Sequence, residues 1–228
     1  MARKVFYLLM LLGVLFAVEA FAQAPAKIDS SYANSHYRMR LDFFRQMPNH
    51  KKEIVFLGNS ITEAGEWQEL VPCKPVVNRG ISGDVTWGVL ARLDEVLASK
   101  PAKVFLLIGV NDLKRGIDPA MIAQNHRRIL QRIKAESPKT RVYLQSVLPV
   151  NESLLSTAYQ HVTLARISAL NQELKRLAEQ LQVPFLDLHP ALTDAQGQLD
   201  KELTTDGIHL KLVAYIKWVN QLKLAKAL

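Results

Sequence analysis

Five short apolar runs alternate with longer segments of helical periodicity, and this alternation restricts the chain to very few architectures. The runs are Ile54–Leu57, Val76–Asn78, Val104–Ile108, Val142–Ser146 and Phe185–Leu188. Between them, Val85, Val89, Leu93 and Val96 share one helical face, as do Ile122, Ile129 and Ile133, and then Leu170, Leu174, Leu177 and Leu181. Leu212, Ile216, Val219 and Leu222 predict a closing amphipathic helix, and residues 31–47, with Tyr37, Leu41 and Phe44, predict one ahead of the first run. Pro101, Pro138 and Pro184 each fall shortly before a run, where a helix has to stop. Strands separated by helical crossovers pair in parallel, because each crossover has to pack back on the sheet. Val104–Ile108 is apolar at every position, as a strand covered on both faces requires. The expected fold is therefore α/β, one domain built on five parallel strands.

The first two dozen residues follow a different pattern. Arg3 and Lys4 precede an uncharged apolar stretch, Val5–Val18, and Ala20-Phe21-Ala22 fits an A-x-A cleavage site. Fourteen apolar residues fall short of the ~20 that span a bilayer. Residues 1–22 are thus expected to be a signal peptide with Gln23 as the mature N-terminus, and the protein to be exported, periplasmic or secreted, without a membrane anchor after cleavage. Residues 23–50 form a lead and helix, and 51–228 the main domain. The single cysteine, Cys73, excludes an intramolecular disulfide and leaves no lipid-attachment cysteine after the apolar stretch. The net charge of +8 falls to +7 without Arg3, Lys4 and Glu19. No basic run exceeds two residues and no aromatic–basic interleaving occurs, so the charge is read as a solvated surface and nucleic acid is not an expected partner.

In a parallel sheet the C-terminal strand ends lie along one edge, where ligands bind. Polar segments follow the apolar runs there: Gly58-Asn59-Ser60, Arg79-Gly-Ile-Ser-Gly-Asp84 and Gly109-Val-Asn-Asp112. The segment after Leu188 runs on to Thr205-Asp-Gly-Ile-His-Leu210. Topology alone gathers these segments at one cleft. A serine hydroxyl is a weak nucleophile until a base takes its proton, and His209 is the candidate base for Ser60. Asp206, in the same turn, is placed to hold the other ring nitrogen. Backbone N–H groups of Ser60 and Gly83, with the Asn111 amide, are candidate donors to an oxyanion.

These blocks resemble the SGNH (GDSL-type) hydrolases. Gly58-Asn-Ser60-Ile-Thr is similar to the family's first block, Asn78-Arg-Gly-Ile-Ser-Gly83-Asp to the second, Gly109-Val-Asn111-Asp to the third and Asp206-Gly-Ile-His209 to the fifth. The resemblance covers nearly all of residues 50–220. It implies a flavodoxin-like three-layer α/β/α sandwich, a Ser60–His209–Asp206 triad and a three-donor oxyanion hole of Ser60, Gly83 and Asn111. It implies no metal and no organic cofactor. Asn59 departs from it, since the family usually carries Asp there. Thr62 stands where a G-x-S-x-G elbow would need its second glycine, which argues against the α/β-hydrolase type.

The expected activity is a serine esterase acting on short acyl esters, acetyl above all, on small or O-acetylated glycan substrates. A lysophospholipase or thioesterase of the same fold is the alternative. Asp187, His189, Asp206 and His209 could instead form a metallohydrolase cluster. Trp67 and Trp87 could line a substrate pocket, or serve a non-catalytic glycan-binding protein as stacking platforms. Gly80 is the second choice for the oxyanion glycine, His189 for the base, and Asp112 is expected to be structural. His36, His50, His126 and His161 are expected at the surface.

Overall fold

The apolar runs become strands β1 (Ile54–Gly58), β2 (Val76–Gly80), β3 (Lys103–Leu107), β4 (Arg141–Gln145) and β5 (Phe185–Leu186). The computed structural model describes residues 29–228, so the expected signal segment lies outside the described residues. All four strand pairings are parallel, in the order β2-β1-β3-β4-β5. The chain thus changes direction across the sheet between β1 and β3, the switch point at which open α/β sheets form a crevice. Every residue of β1 is buried, so both faces of the sheet are covered.

The helices are α1 (Ser35–Gln46), α2 (Ser60–Glu63), α3 (Trp67–Leu70), α4 (Thr86–Ala91), α5 (Leu93–Ala98), α6 (Val110–Lys114), α7 (Pro119–Glu136), α8 (Leu164–Leu181), α9 (His189–Leu192) and α10 (Leu212–Leu224). The two long crossovers start on local signals. Asp118 caps α7 by accepting from Ala120 N–H ahead of Pro119, and Thr163 caps α8 by accepting from Arg166 N–H. Helices α7 and α8 pack on each other, α4 and α5 join α7, and α10 contacts α3 and α9. Among the described residues no helix is long and apolar enough to cross a membrane.

One aromatic row organises the sheet face beneath α3 and α10. Phe56, Phe105 and Tyr143 are register partners on β1, β3 and β4, and their rings stack at centroid separations of 5.0 and 4.9 Å. Trp67 caps the row, stacked on Phe56 at 3.9 Å and edge-on to Trp218 at 4.9 Å. Its indole N–H donates to Thr62 O at 2.8 Å.

Several expectations are corrected here. Trp67 is 0% exposed and belongs to this core, not to a substrate pocket. Trp87 is also buried, at 9% exposure, with the Arg128 guanidinium over its ring at 5.3 Å, so it is not an open stacking platform. The stripe on α10 is turned: Leu212 and Ile216 are 63% and 44% exposed, while Ala214, Tyr215 and Trp218 face inward with Val219 and Leu222. The larger aromatic surfaces decide which face packs. The face read from Val85 to Val96 is divided between α4 and α5 by a break at Arg92. His126 is fully buried on α7, with its Nδ1 against Ile122 O at 2.9 Å. The basic charge is not wholly a solvated surface either, because Arg79 and Arg92 are buried against Glu95 and Asp84.

Trp67→Ala is expected to destabilise the fold by about 3–5 kcal/mol in urea denaturation, through the large cavity left under α10. A loss below about 1 kcal/mol would contradict its place in the core.

Candidate active site

Ser60 opens α2 directly after β1. Asn59 caps that helix, its side-chain oxygen accepting from Ile61 N–H at 3.0 Å, so the cap survives without the aspartate. The Asn59 amide nitrogen is buried with no partner among the described residues, a donor that an aspartate would not carry.

Ser60 Oγ lies 3.1 Å from His209 Nε2, and His209 Nδ1 lies 2.7 Å from Asp206 Oδ2. Partial burial works to raise the Asp206 pKa, but the hydrogen bonds from the His209 ring, His209 N–H and Ile208 N–H outweigh it and hold the carboxyl below its ordinary range. An ionised carboxylate only accepts, so Nδ1 donates to it, and in the neutral ring Nε2 is left bare to accept from Ser60. Asp206 Oδ1 takes the N–H groups of Ile208 and His209 at 3.0 and 2.8 Å, which fixes the turn that carries both side chains. Thr204 supports that turn, donating to His209 O at 2.7 Å and accepting from Gly207 N–H at 3.0 Å. His209 and Asp206 stand open to solvent, 38% and 48% exposed.

The other predicted donors lie beside this relay. Ser60 N–H and Gly83 N–H have no protein acceptor among the described residues. Gly83 sits at φ +80°, a left-handed conformation that favours glycine. Gly80 serves a different purpose: a Cβ there would come within 2.1 Å of Glu63 N, so β2 can approach α2 only through a glycine. Asn111 Nδ2 donates to Asp84 O at 2.9 Å, which orients the amide and leaves its second N–H free.

Beneath these donors lies a buried polar layer. Arg92 Nε donates to Asp84 Oδ2 at 2.9 Å, while Nη2 donates to Gly58 O at 3.1 Å and Arg79 O at 2.9 Å. Burial pushes Asp84 up to about 6, against the pull of Arg92. Asp112 accepts from the N–H and hydroxyl of Thr86, the latter at 2.5 Å, and burial pushes its carboxyl up to about 7 against those bonds. Sequence reasoning marked Asp112 as structural but passed over Arg92, Glu63 and Arg115. These lie between motifs, and only the fold brings them to the site.

The structure does not bring the proposed metal set together. His189 Nε2 is taken up by Val147 O at 2.8 Å and Asn171 at 3.1 Å. Among the described residues no three His, Cys, Asp or Glu side chains are grouped as ligands.

A parallel α/β sheet with a hydroxyl–imidazole–carboxylate relay at its switch point is the architecture of an ester-cleaving hydrolase. Residues 56–215 match the GDSL-like Lipase/Acylhydrolase family, and the chain belongs to it. The chain is 34% identical over 145 residues to Esterase TesA of Pseudomonas aeruginosa, a match covering 61% of this chain and 63% of that protein, just under two thirds of its length. It is 24% identical over 194 residues to human platelet-activating factor acetylhydrolase IB subunit alpha1, covering 82% of this chain and 79% of that one. A solved structure described as "a putative platelet activating factor from Streptococcus pneumonia" superposes with a TM-score of 0.78 at 34% identity, covering 83% of this chain and 92% of that one.

Two outcomes are expected from this geometry. Asp206→Asn, which lets the ring take the wrong tautomer, should lower kcat for ester hydrolysis by roughly 10²–10⁴-fold with little change in fold. Asp112 keeps its proton up to about 7 when folded but only to the ordinary 3.8 when unfolded. Between these pH values unfolding releases a proton, so its contribution to stability falls as pH rises. Urea midpoints of wild type should therefore fall relative to those of Asp112→Asn from the lower to the higher pH; a constant difference would contradict the assignment.

Proposed function

We propose that this hydrolase is an exported serine esterase that removes short acyl groups, acetyl foremost, from carbohydrate esters through a covalent acyl-enzyme. The observation that carries the reading is the Ser60–His209–Asp206 relay, at 3.1 and 2.7 Å, beside N–H groups without acceptors. Ser60 Oγ attacks the ester carbonyl while His209 Nε2 takes its proton, and Asp206 stabilises the imidazolium. Ser60 N–H, Gly83 N–H and the free N–H of Asn111 donate to the oxyanion, each contributing roughly 3 kcal/mol in the transition state. The tetrahedral intermediate expels the alcohol, which receives the proton from His209. Water, deprotonated by the same imidazole, then releases the acid and restores Ser60.

The choice of acyl group and carrier rests on the openness of the site. An imidazole and a carboxylate more than a third exposed suit a small acyl group on a bulky, hydrated alcohol that remains in solvent. The acetylhydrolase relative supports a two-carbon acyl group, and the signal-like pattern of residues 1–22 supports export. One observation favours the second reading, a lysophospholipase or thioesterase. Leu154 packs against Gly207 of the histidine turn and is exposed, and Leu212 and Val213 follow the turn with their side chains in solvent. Such a rim could receive a longer chain.

Ser60→Ala is expected to lower p-nitrophenyl acetate hydrolysis by about a million-fold, with EDTA having no effect on the wild type. A loss below about tenfold would exclude Ser60 as the nucleophile. Acetylated xylooligosaccharides and a lysophospholipid, assayed side by side, should yield acetate from the former. Fatty acid release without acetate would overturn the carbohydrate assignment.

A further inference from the structure

Two charged side chains that take no part in the proposed chemistry hold the dipeptide Ser82–Gly83 at its two ends, Glu63 at Ser82 N–H and Arg115 at Gly83 O. On one side is Glu63, one turn along α2 from Ser60. Its Oε2 accepts from Ser82 N–H at 2.5 Å. His36 Nε2 lies 3.2 Å from both carboxylate oxygens, and Arg40 Nε lies 3.2 Å from Oε1; both come from α1. Burial works to raise the Glu63 pKa, but the bonds to Ser82 and His36 and the charge of Arg40 outweigh it and keep the carboxyl ionised. On the other side is Arg115, just past α6 and four residues beyond Asn111. Its Nη2 donates to Gly83 O at 3.1 Å and its Nη1 to Asp29 at 2.5 Å.

Between the two grips runs the peptide that carries Gly83 N–H. That glycine holds a left-handed conformation, and a Cβ built on it would meet nothing within 4 Å. No side-chain packing therefore fixes the donor. Hydrogen bonds do: those of Glu63 and Arg115 and the turn bond from Asp84 N–H to Ile81 O at 3.1 Å. The groups behind Glu63 and Arg115 are Asp29, His36 and Arg40, all of them N-terminal to the 56–215 family match.

We propose that Glu63 and Arg115 are positioning residues that aim Gly83 N–H at the developing oxyanion, and that residues 29–40 of the N-terminal lead act as the brace holding both. This rests on the Ser60 acyl-enzyme reading. The brace does not touch substrate. It acts on the rate because an oxyanion donor stabilises charge only when pre-aimed, and a displacement of about 1 Å costs on the order of 10²-fold. Glu63 also ties the donor to the helix that begins with the nucleophile, so the attacking oxygen and the oxyanion donor share one frame.

The test is steady-state hydrolysis of p-nitrophenyl acetate by full-length wild type, Ser60→Ala, Glu63→Ala, Glu63→Gln, Arg115→Ala and Arg115→Lys, each checked for folding by thermal denaturation. Glu63→Ala should lower kcat about 10–100-fold while KM stays within about threefold, since the donor is needed in the transition state and not for binding. Glu63→Gln should recover most of that rate, because its amide oxygen still accepts from Ser82 N–H. If Ser60→Ala is inactive and Glu63→Ala stays within about threefold of wild-type kcat, the inference fails and the triad reading stands. Glu63→Gln no better than Glu63→Ala, or a loss that appears in KM alone, also overturns it. Should Glu63→Ala fail to fold, Arg115→Ala and its rescue by Arg115→Lys decide by the same criteria. Wild-type rates in Ser60→Ala would overturn the triad reading and the inference with it.

Discussion

A single buried guanidinium ties together the strand ends that carry the candidate site. Parallel strands end in carbonyl groups that the ladder alone leaves short of partners, and here the ends of β1 and β2 must also stay close if Ser60 and Gly83 are to serve one candidate site. Arg92 meets both needs, bonding Gly58 O and Arg79 O while its charge is matched by Asp84. Such buried pairs contribute little net stability over well-packed apolar groups, but losing one partner leaves an uncompensated charge costing about 3–5 kcal/mol. Its value here is geometric. The carbonyl of Asp84 in turn orients Asn111, so a guanidinium at the break between α4 and α5 reaches all three strand ends that carry candidate donors.

The strands and the grouping of the candidate site were legible in the sequence for one reason: both depend on local order. An apolar run, a proline stop and a polar turn are contiguous, and a parallel sheet then gathers the turns without further information. Ser60, Gly83, Asn111, Asp206 and His209 could be named on that basis. What depends on register between distant strands was not legible. Nothing near Trp67 announces that Phe56, Phe105 and Tyr143 will align as a stack for it to cap, so an indole after a polar block read as a pocket residue. The phase of α10 was lost similarly, because Tyr215 and Trp218 count as half-polar in a pattern and as the largest apolar surfaces in a core. His126 is buried because α7 turns it inward, where burial pushes its pKa down to about 4 and keeps it neutral.

Charge illustrates the same division. The excess of cations was read as surface, yet several arginines are working parts of the interior or its rim. Arg79 faces Glu95 at 2.8 Å with its guanidinium over the Phe44 ring, and so fastens α1 to the edge strand β2. The described part of the N-terminal lead, from Asp29 through α1, is thereby attached to the rest of the fold by apolar packing, by aromatic–cation contact and by ion pairs. It is built as part of the hydrolase fold, although the family match begins only at residue 56.

The Asp206 carboxylate divides its two oxygens between backbone and ring, and this bears on how many joints the relay has. Oδ1 holds the turn from 206 to 209 while Oδ2 holds the imidazole, so Asp206 and His209 are tied to each other within one short turn. Three residues would ordinarily need two independent alignments. Here only one contact of the relay joins separate parts of the chain, that from His209 to Ser60. Sequence change elsewhere in the fold can therefore retune the relay through a single gap without disturbing the chemistry of the pair.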